Sequence, residues 1–244
     1  MRVGILQCDT VAADLQPDFG DYPDMFKSLL GAVDASLSFR TYDLTAADLP
    51  CDLRDCDGWL FTGSKWSVYD DEPWIRQAET LARRLHEARR PTIGICFGHQ
   101  LIAQALGGRV QKRGWGVGVH TVHVSDARKP WMQPPADELA WVVSHQDQIV
   151  ELPAEMQRLA GHAFCPNDMT QIGEHILTVQ GHPEFSREYC GELIRRRRRV
   201  LGEETYQSGL RSLSRTTDER VVARWILAFL RAAQVAEDRE QALA

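Results

Sequence analysis

The 244-residue sequence lacks the features that mark several large classes of protein. No apolar run approaches the length of a membrane span, so we expect no membrane partner. None of the six cysteines is spaced as C-x-x-C, and we expect neither a zinc site nor another metal. Acidic residues outnumber basic residues by 34 to 28, and the resulting net charge of −6 argues against nucleic acid as the main partner. There is no Gly-x-x-x-x-Gly-Lys-Ser/Thr phosphate loop, and we expect no cofactor.

The N-terminal residues also lack the pattern of a secretory signal. Val3 to Gln7 form only a short apolar run, polar residues follow at once, and we read this segment as a strand. Six cysteines without a secretory signal indicate free thiols in a reducing compartment. We therefore expect a cytoplasmic protein.

The order of strand-like and helix-like segments predicts the fold class. Up to Gly108 the two kinds of segment alternate, which is typical of βαβ units and a mostly parallel sheet. After Gly108 several strand-like segments follow one another with few helices between them, including 117–124 and 139–143. This change predicts a small antiparallel extension of the same sheet.

Two helix-like segments, 187–201 and 218–236, close the chain. We expect one domain over residues 1–244, with a catalytic core of about 1–190 and C-terminal helices at about 187–240. The basic run 195–199 lies on the first of these helices. We interpret it as a solvated face near the C-terminal end of a helix, where positive charge is favoured.

The stretch 91–107 carries the clearest chemical signal in the chain. A short apolar strand, 92–95, runs into Gly94-Ile-Cys-Phe-Gly98, and an amphipathic helix follows. A nucleophile at a sharp strand-to-helix turn with glycine two positions to either side is the pattern of a nucleophile elbow. At the start of the helix Cys96 would meet backbone N–H groups and the positive end of the helix dipole, which favour a thiolate. The alternative is a buried structural cysteine, since most free cysteines are buried and inert.

A cysteine nucleophile needs a base, and the base needs an orienting group. His182 follows the apolar run 176–179, and Glu184 lies two residues further on, across Pro183. In an extended segment residues i and i+2 project to the same side, and the proline keeps His182 extended. Glu184 would then fix one imidazole nitrogen while the other faces Cys96. The alternative is a strand-end histidine beside a surface glutamate.

Together these motifs resemble the class I glutamine amidotransferases. The resemblance rests on Gly94-Ile-Cys-Phe-Gly-His-Gln100 and His182-Pro-Glu184, supported by Phe61-Thr-Gly-Ser64 and Ser144-His-Gln-Asp147, and it covers about residues 1–190. It implies an α/β flavodoxin-like three-layer sandwich with a mostly parallel central sheet and a small antiparallel extension. It also implies a glutaminase activity on a small-molecule substrate.

The resemblance assigns roles to individual residues. It implies a catalytic triad of Cys96, His182 and Glu184, and an oxyanion hole formed by the backbone N–H groups of Gly63 and Phe97. It further implies substrate-binding contacts, which would come from Gln100, Ser144, His145, Gln146 and Asp147. The expected reaction is hydrolysis of a γ-amide through a γ-glutamyl thioester.

Within the family, two groups of proteins differ in these motifs. Glutaminase domains of the GMP synthase type usually read Ser-His-Gly-Asp and Gln-Phe-His-Pro-Glu, whereas this chain has Gln146 and Gly181 at the variable positions. In this respect it looks more like the stand-alone γ-glutamyl peptidases. The amidotransferase-like region takes up most of the 244 residues, and we expect no synthetase domain beside it. We therefore expect any ammonia to pass to a separate synthetase subunit or to be released.

Three functions therefore stay open. The first is a glutamine amidotransferase that supplies ammonia, and the second is a γ-glutamyl hydrolase that acts alone. The third is a catalytically silent binding protein on the same fold, although the three residues of the expected triad are all present.

Overall fold

A nine-stranded sheet with helices on both faces forms the centre of the molecule. The computed structural model describes the backbone of residues 1–243 and the side chains of residues 1–236. The strands are β1 (Arg2–Gln7), β2 (Ser38–Asp43), β3 (Gly58–Phe61), β4 (Thr92–Ile95), β5 (Arg109–Val124), β6 (Glu138–Glu151), β7 (Met156–Gly161), β8 (Met169–Ile172) and β9 (Ile176–Val179). The helices are α1 (Gln16–Phe19), α2 (Tyr22–Gly31), α3 (Pro73–Glu87), α4 (Phe97–Ala105), α5 (Arg187–Arg196), α6 (Arg198–Ser212) and α7 (Glu219–Leu243). No helix in this part of the chain is both long enough and apolar enough to cross a lipid bilayer.

The sheet combines a parallel and an antiparallel half. Its strand order is β2-β1-β3-β4-β9-β8-β7-β5-β6. The five strands from β2 to β9 pair in parallel, and all pairs from β9 to β6 are antiparallel. The predicted α/β fold with a mostly parallel core and an antiparallel extension is confirmed.

Burial on both faces of the sheet explains its short central strands. All four residues of β3, β4 and β9 are buried, as expected for parallel strands covered by helices on both sides. The four residues of the adjacent antiparallel strand β8 are buried as well. One face packs against α2 and α7, through Phe26, Leu30, Trp225 and Phe229 among others. The opposite face packs against α3 and α4. The result is three layers, with the carboxyl ends of β3, β4 and β9 at a common edge.

The antiparallel half is larger than the sequence predicts. The predicted strands 117–124 and 139–143 are parts of β5 and β6, which pair from Arg109 opposite Glu151 to His123 opposite Glu138. Polar side chains and a register shift between Lys112 and Gly116 interrupt the apolar alternation, which hid the full length of both strands. Residues 144–147 therefore lie inside a strand.

The C-terminal helices also differ from prediction. The predicted helix 187–201 ends at Arg196, and Arg197 adopts φ −95° and ψ 6°, outside the helical range. A second helix, α6, then continues to Ser212, with a break at Gly202. Three helices, α5, α6 and α7, thus stand where two were predicted. The break was not predicted because a run of arginines gives no local signal for a turn.

The turn from β4 into α4 depends on two glycines. A Cβ on Gly94 would lie 2.7 Å from the carbonyl oxygen of Gly98, and a Cβ on Gly98 would lie 2.5 Å from the Cβ of Phe61. Both approaches are shorter than real carbon contacts allow. Glycine at these positions lets α4 start directly against the end of β3.

We expect Gly98→Ala to reduce the free energy of unfolding by about 1–3 kcal/mol, because the added methyl group would collide with the backbone and side chain of Phe61. Urea denaturation would measure the loss. Gly31→Ala at the end of α2 is the matched control, since no atom lies within 4 Å of the added carbon, and it should be neutral or slightly stabilising. Equal effects of the two substitutions would contradict this account of the turn.

Candidate active site

Cys96 lies at the turn between β4 and α4 in a strained conformation. Its φ of 50° and ψ of −98° are rarely adopted by a residue with a side chain. Its N–H donates to the carbonyl of Val179 at 2.8 Å, and the N–H of Gly98 donates to the carbonyl of Thr62 at 3.2 Å. The side chain is 5% exposed. Hydrogen bonds to the carbonyls of two neighbouring strand ends thus hold Cys96 in place at the start of the helix.

His182 and Glu184 form a buried pair beyond the end of β9. Nδ1 of His182 lies 2.7 Å from a carboxylate oxygen of Glu184. The backbone N–H of His182 donates to the carbonyl of Val142 on β6 at 2.7 Å. Phe185 stacks on the imidazole with a centroid distance of 3.9 Å and an interplanar angle of 5°. The ring is therefore fixed by a hydrogen bond at one edge and by an aromatic ring on one face.

The surroundings of His182 favour its protonated form. Burial by itself lowers the pKa of the imidazole, but the charges of Cys96 and Glu184 and hydrogen bonds to both raise it to about 10. The Cys96 side chain thus interacts directly with His182. The arrangement stabilises an imidazolium next to the Cys96 side chain.

The other buried thiols have a different environment. Burial raises the pKa of Cys8, Cys56 and Cys165, and it raises the pKa of Cys190 to about 11. A thiol in such surroundings stays protonated and is a poor nucleophile.

His99, although adjacent to the turn, lies in the core. Its Nδ1 is 2.6 Å from the hydroxyl of Thr178, and burial lowers its pKa to about 3. It packs α4 against the sheet and is a poor candidate for a base. His182 is therefore the histidine that pairs with Cys96.

The backbone at Gly63 borders both of these side chains. A Cβ on Gly63 would lie 2.7 Å from Cε1 of His182 and 3.7 Å from Cβ of Cys96. Within residues 1–236, the N–H groups of Gly63 and Phe97 donate no hydrogen bond to a protein acceptor. Two backbone donors beside the thiol are thus available to an oxygen atom of a ligand.

A pocket of about 200 Å³ opens beside Cys96 between the segment 64–67 and strands β5 and β6. Gln100 lines it and donates through Nε2 to the carbonyl of Asp147 at 2.8 Å and to Gln180 at 3.0 Å. The Asp147 carboxylate accepts from the hydroxyls of Ser67 at 2.5 Å and Tyr69 at 2.9 Å. Asp147 therefore holds the loop that follows Gly63 against β6.

The remaining predicted substrate contacts also line this pocket. His145 is buried, its Nδ1 lies 3.2 Å from the carbonyl of Asp147, and burial lowers its pKa to about 3. The hydroxyl of Ser144 accepts a hydrogen bond from Nη1 of Arg197 at 2.6 Å. Gln146 is half-buried. Of the ten predicted site residues, nine therefore lie next to Cys96 or in the wall of its pocket. The tenth, Glu184, is hydrogen-bonded to His182.

The structure adds residues that the sequence reasoning missed. Gln180 donates through Nε2 to the sulfur of Cys96 at 3.5 Å, and Phe185 fixes the His182 ring. Both residues flank the His-Pro-Glu motif, and this closeness in sequence is the signal that could have identified them. Arg197, interpreted above as part of a solvated face, is instead half-buried and reaches the pocket, where it donates to Ser144. That interpretation was wrong for Arg197, because the break after α5 turns its side chain inward.

The side chains that commonly bind metal ions do not cluster in the described residues. In the part of the chain with described side chains, no three His, Cys, Asp or Glu residues are arranged to hold a metal ion.

We expect Glu184→Gln to lower the pKa of His182 by about 1 unit or more, because the substitution removes an adjacent negative charge. NMR titration of His182 would measure the change. Glu188→Gln, on an exposed residue of α5, is the control and should leave the pKa of His182 unchanged.

The same pKa has a consequence for stability. Because the folded value of about 10 exceeds the ordinary value of 6.5, protonated His182 stabilises the fold fully below pH about 6.5. This contribution is lost as the pH rises towards 10. Glu184→Gln should therefore cost more stability at pH 6 than at pH 10, and a cost that does not vary with pH would contradict the assignment.

Comparison with known proteins identifies the family. The family model for "Glutamine amidotransferase class-I" matches residues 17–197. γ-Glutamyl peptidase 5 of Arabidopsis thaliana is 34% identical over 186 residues, which cover 73% of each chain. The GMP synthase of Bacillus pumilus is 30% identical over 143 residues, or 57% of this chain and 26% of that protein.

A solved structure shows the same fold. The crystal structure of a glutamine amidotransferase from Thermotoga maritima superposes with a TM-score of 0.71 at 21% identity, over 96% of this chain and 98% of the other. The chain described here belongs to the class I glutamine amidotransferase family.

Proposed function

We propose that this protein hydrolyses the γ-amide bond of a γ-glutamyl compound or of glutamine, with Cys96 as nucleophile, His182 as acid and base, and Glu184 as the orienting carboxylate. The observation that carries the proposal is the buried His182 ring, which hydrogen-bonds Glu184 through Nδ1 and interacts with the Cys96 thiol at the start of α4. Nucleophile, base and orienting group in this order form the arrangement that activates a thiol.

In the first half of the proposed reaction, the Cys96 thiolate attacks the γ-carboxamide carbon. The tetrahedral oxyanion accepts hydrogen bonds from the N–H groups of Gly63 and Phe97, and donors of this kind are typically worth about 10²–10³-fold in rate. The His182 imidazolium then gives its proton to the leaving nitrogen. The carbon–nitrogen bond breaks, an amine or ammonia leaves, and a γ-glutamyl thioester on Cys96 remains.

In the second half, neutral His182 takes a proton from a water molecule, which attacks the thioester carbon. The same two N–H groups receive the second oxyanion. The carbon–sulfur bond breaks and releases a γ-carboxyl group, which loses its remaining proton to solvent. Cys96 is left as a thiolate and His182 as an imidazolium, as at the start of the reaction. Glu184 keeps the imidazole in one tautomer throughout, since its carboxylate accepts from Nδ1.

We assign the recognition of the glutamyl group to Gln100 and to residues 144–147 of β6. They line the pocket beside Cys96, and the Asp147 carboxylate supports it by holding Ser67 and Tyr69. We also propose that residues 1–244 act as one domain in the cytoplasm, where the six free thiols would stay reduced.

The likeness to γ-glutamyl peptidases favours a hydrolase that acts alone. The match to γ-glutamyl peptidase 5 extends over 73% of that protein, whereas the match to GMP synthase extends over 26% of that protein. The second candidate is delivery of ammonia to a separate synthetase subunit. It is supported by the GMP synthase match, because that enzyme is named as glutamine-hydrolysing.

We expect the purified protein to release glutamate from γ-glutamyl peptides, and Cys96→Ala to reduce the rate by at least about 10³-fold. A coupled glutamate assay on glutamine and a panel of γ-glutamyl peptides and amines would measure both. Cys51→Ala is the control, because Cys51 is exposed and distant from the site in the chain, and it should retain full activity.

The pattern of activity separates the candidates. Release from glutamine only after a synthetase is added would favour the ammonia donor. If no substrate is cleaved and a glutamine-like electrophile does not label Cys96, the proposed hydrolase is wrong and a silent binding protein remains.

A further inference from the structure

One wall of the pocket beside Cys96 carries positive charge from two separate elements. Lys112 belongs to β5, and Arg197 occupies the break between α5 and α6. Both line the same pocket of about 200 Å³ as Cys96. A small ligand that reaches the thiol would therefore also lie near these two cations.

The guanidinium of Arg197 is held in a defined position. Its Nη1 donates to the hydroxyl of Ser144 at 2.6 Å, and its central carbon lies 5.2 Å from the ring centroid of Trp115. Arginine has five N–H donors in a planar fork, so one bond to Ser144 leaves others for a ligand. An arginine fixed in this way binds a carboxylate with little further loss of side-chain entropy.

The charges around the pocket are unbalanced. Four lining residues, Lys65, Lys112, Asp147 and Arg197, are charged at neutral pH. Lys65 is paired with Asp9 at 3.0 Å, and the Asp147 carboxylate is occupied by two hydroxyls. Among the side chains of residues 1–236, no carboxylate lies within ion-pair distance of Lys112 or Arg197. Lys112 and Arg197 are thus the two cations of this wall that no carboxylate of the described residues pairs with directly.

We propose that Arg197, assisted by Lys112, binds a carboxylate of the substrate and so selects γ-glutamyl compounds that carry this carboxylate over those that lack it. This inference rests on the proposed γ-glutamyl hydrolysis and adds the substrate class. The carboxylate has two possible sources with the same chemistry, the α-carboxylate of the glutamyl group and the carboxylate of a leaving amino acid or peptide. The fork of Arg197 suits either, since both are planar and accept two parallel hydrogen bonds.

Binding to a protein that cannot turn over would test the inference without relying on catalysis. The background is Cys96→Ala, and isothermal titration calorimetry measures Kd. Three ligands are compared: γ-Glu-Gly, the same dipeptide with its C-terminal carboxylate replaced by a carboxamide, and the dipeptide with its α-carboxylate replaced by a carboxamide. The three have nearly the same shape, so differences in Kd report on one charge at a time.

Arg197→Met, added to Cys96→Ala, should weaken binding of γ-Glu-Gly by about 10- to 100-fold, because it removes charge-assisted hydrogen bonds but keeps an apolar side chain of similar length. It should change Kd by less than about 3-fold for the ligand that lacks the recognised carboxylate. Arg197→Lys should recover part of the loss, and Lys112→Met should have a smaller effect than Arg197→Met. Arg198→Met is the matched control, since Arg198 pairs with Glu203 at 2.9 Å and does not line the pocket.

Every outcome decides the question. Loss of the Arg197 effect with the C-terminal carboxamide supports the inference and identifies the leaving group as the source. Loss with the α-carboxamide supports it and identifies the glutamyl group. An equal effect of Arg197→Met on all three ligands, no effect on any, or no binding of any ligand to Cys96→Ala overturns it. Tight, Arg197-dependent binding without Cys96-dependent glutamate release would instead overturn the proposed hydrolysis alone.

Discussion

The site depends on how closely α4 begins against the end of β3. Gly98 lies so near Phe61 that even a methyl group would not fit, and Gly94 lies equally near Gly98. This contact forces the chain to turn within a few residues and leaves Cys96 at a positive φ, which costs of order 1–3 kcal/mol. Hydrogen bonds to Thr62 and Val179 hold the turn from the two neighbouring strands. Because those strands also end in Gly63 and lead to His182, the same packing brings the thiol, the imidazole and the backbone donors together.

A second constraint is electrostatic. His182 is buried, and burial alone would leave it neutral, yet its pKa is raised to about 10 because charged partners lie on both sides. An imidazolium in such a place is stable only while Cys96 and Glu184 face it, so the three groups form one unit that is costly to disrupt. The ring of Phe185 covers a face of the imidazole and limits access of water to it. Structural stability and the poised protonation state therefore come from the same contacts.

The sequence was sufficient to predict the parallel half of the sheet and the residues next to Cys96, since these depend on local patterns. Short apolar strands, glycines spaced around a cysteine and a His-Pro-Glu segment all act within about ten residues. The lengths of β5 and β6 were not predictable in this way, because they are set by pairing across the hairpin and by a register shift at Gly116. The position of Ser144 to Asp147 inside a strand, and not in a loop, follows from that pairing. It also explains why His145 and Asp147 are buried while Ser144 and Gln146 are half-buried, since successive side chains of a strand project to opposite faces.

Arg197 shows most clearly what the local pattern could not reveal. Five consecutive arginines are chemically identical, and the local pattern indicates only that they lie near the C-terminal end of a helix. The chain breaks the helix at the third of them, and only that residue meets Trp115 and Ser144. Its neighbours form exposed ion pairs with Asp14 and Glu203, of the kind that contributes little to stability. The difference between a surface charge and a pocket charge therefore lies in one pair of backbone angles, which decides which arginine faces the pocket beside Cys96.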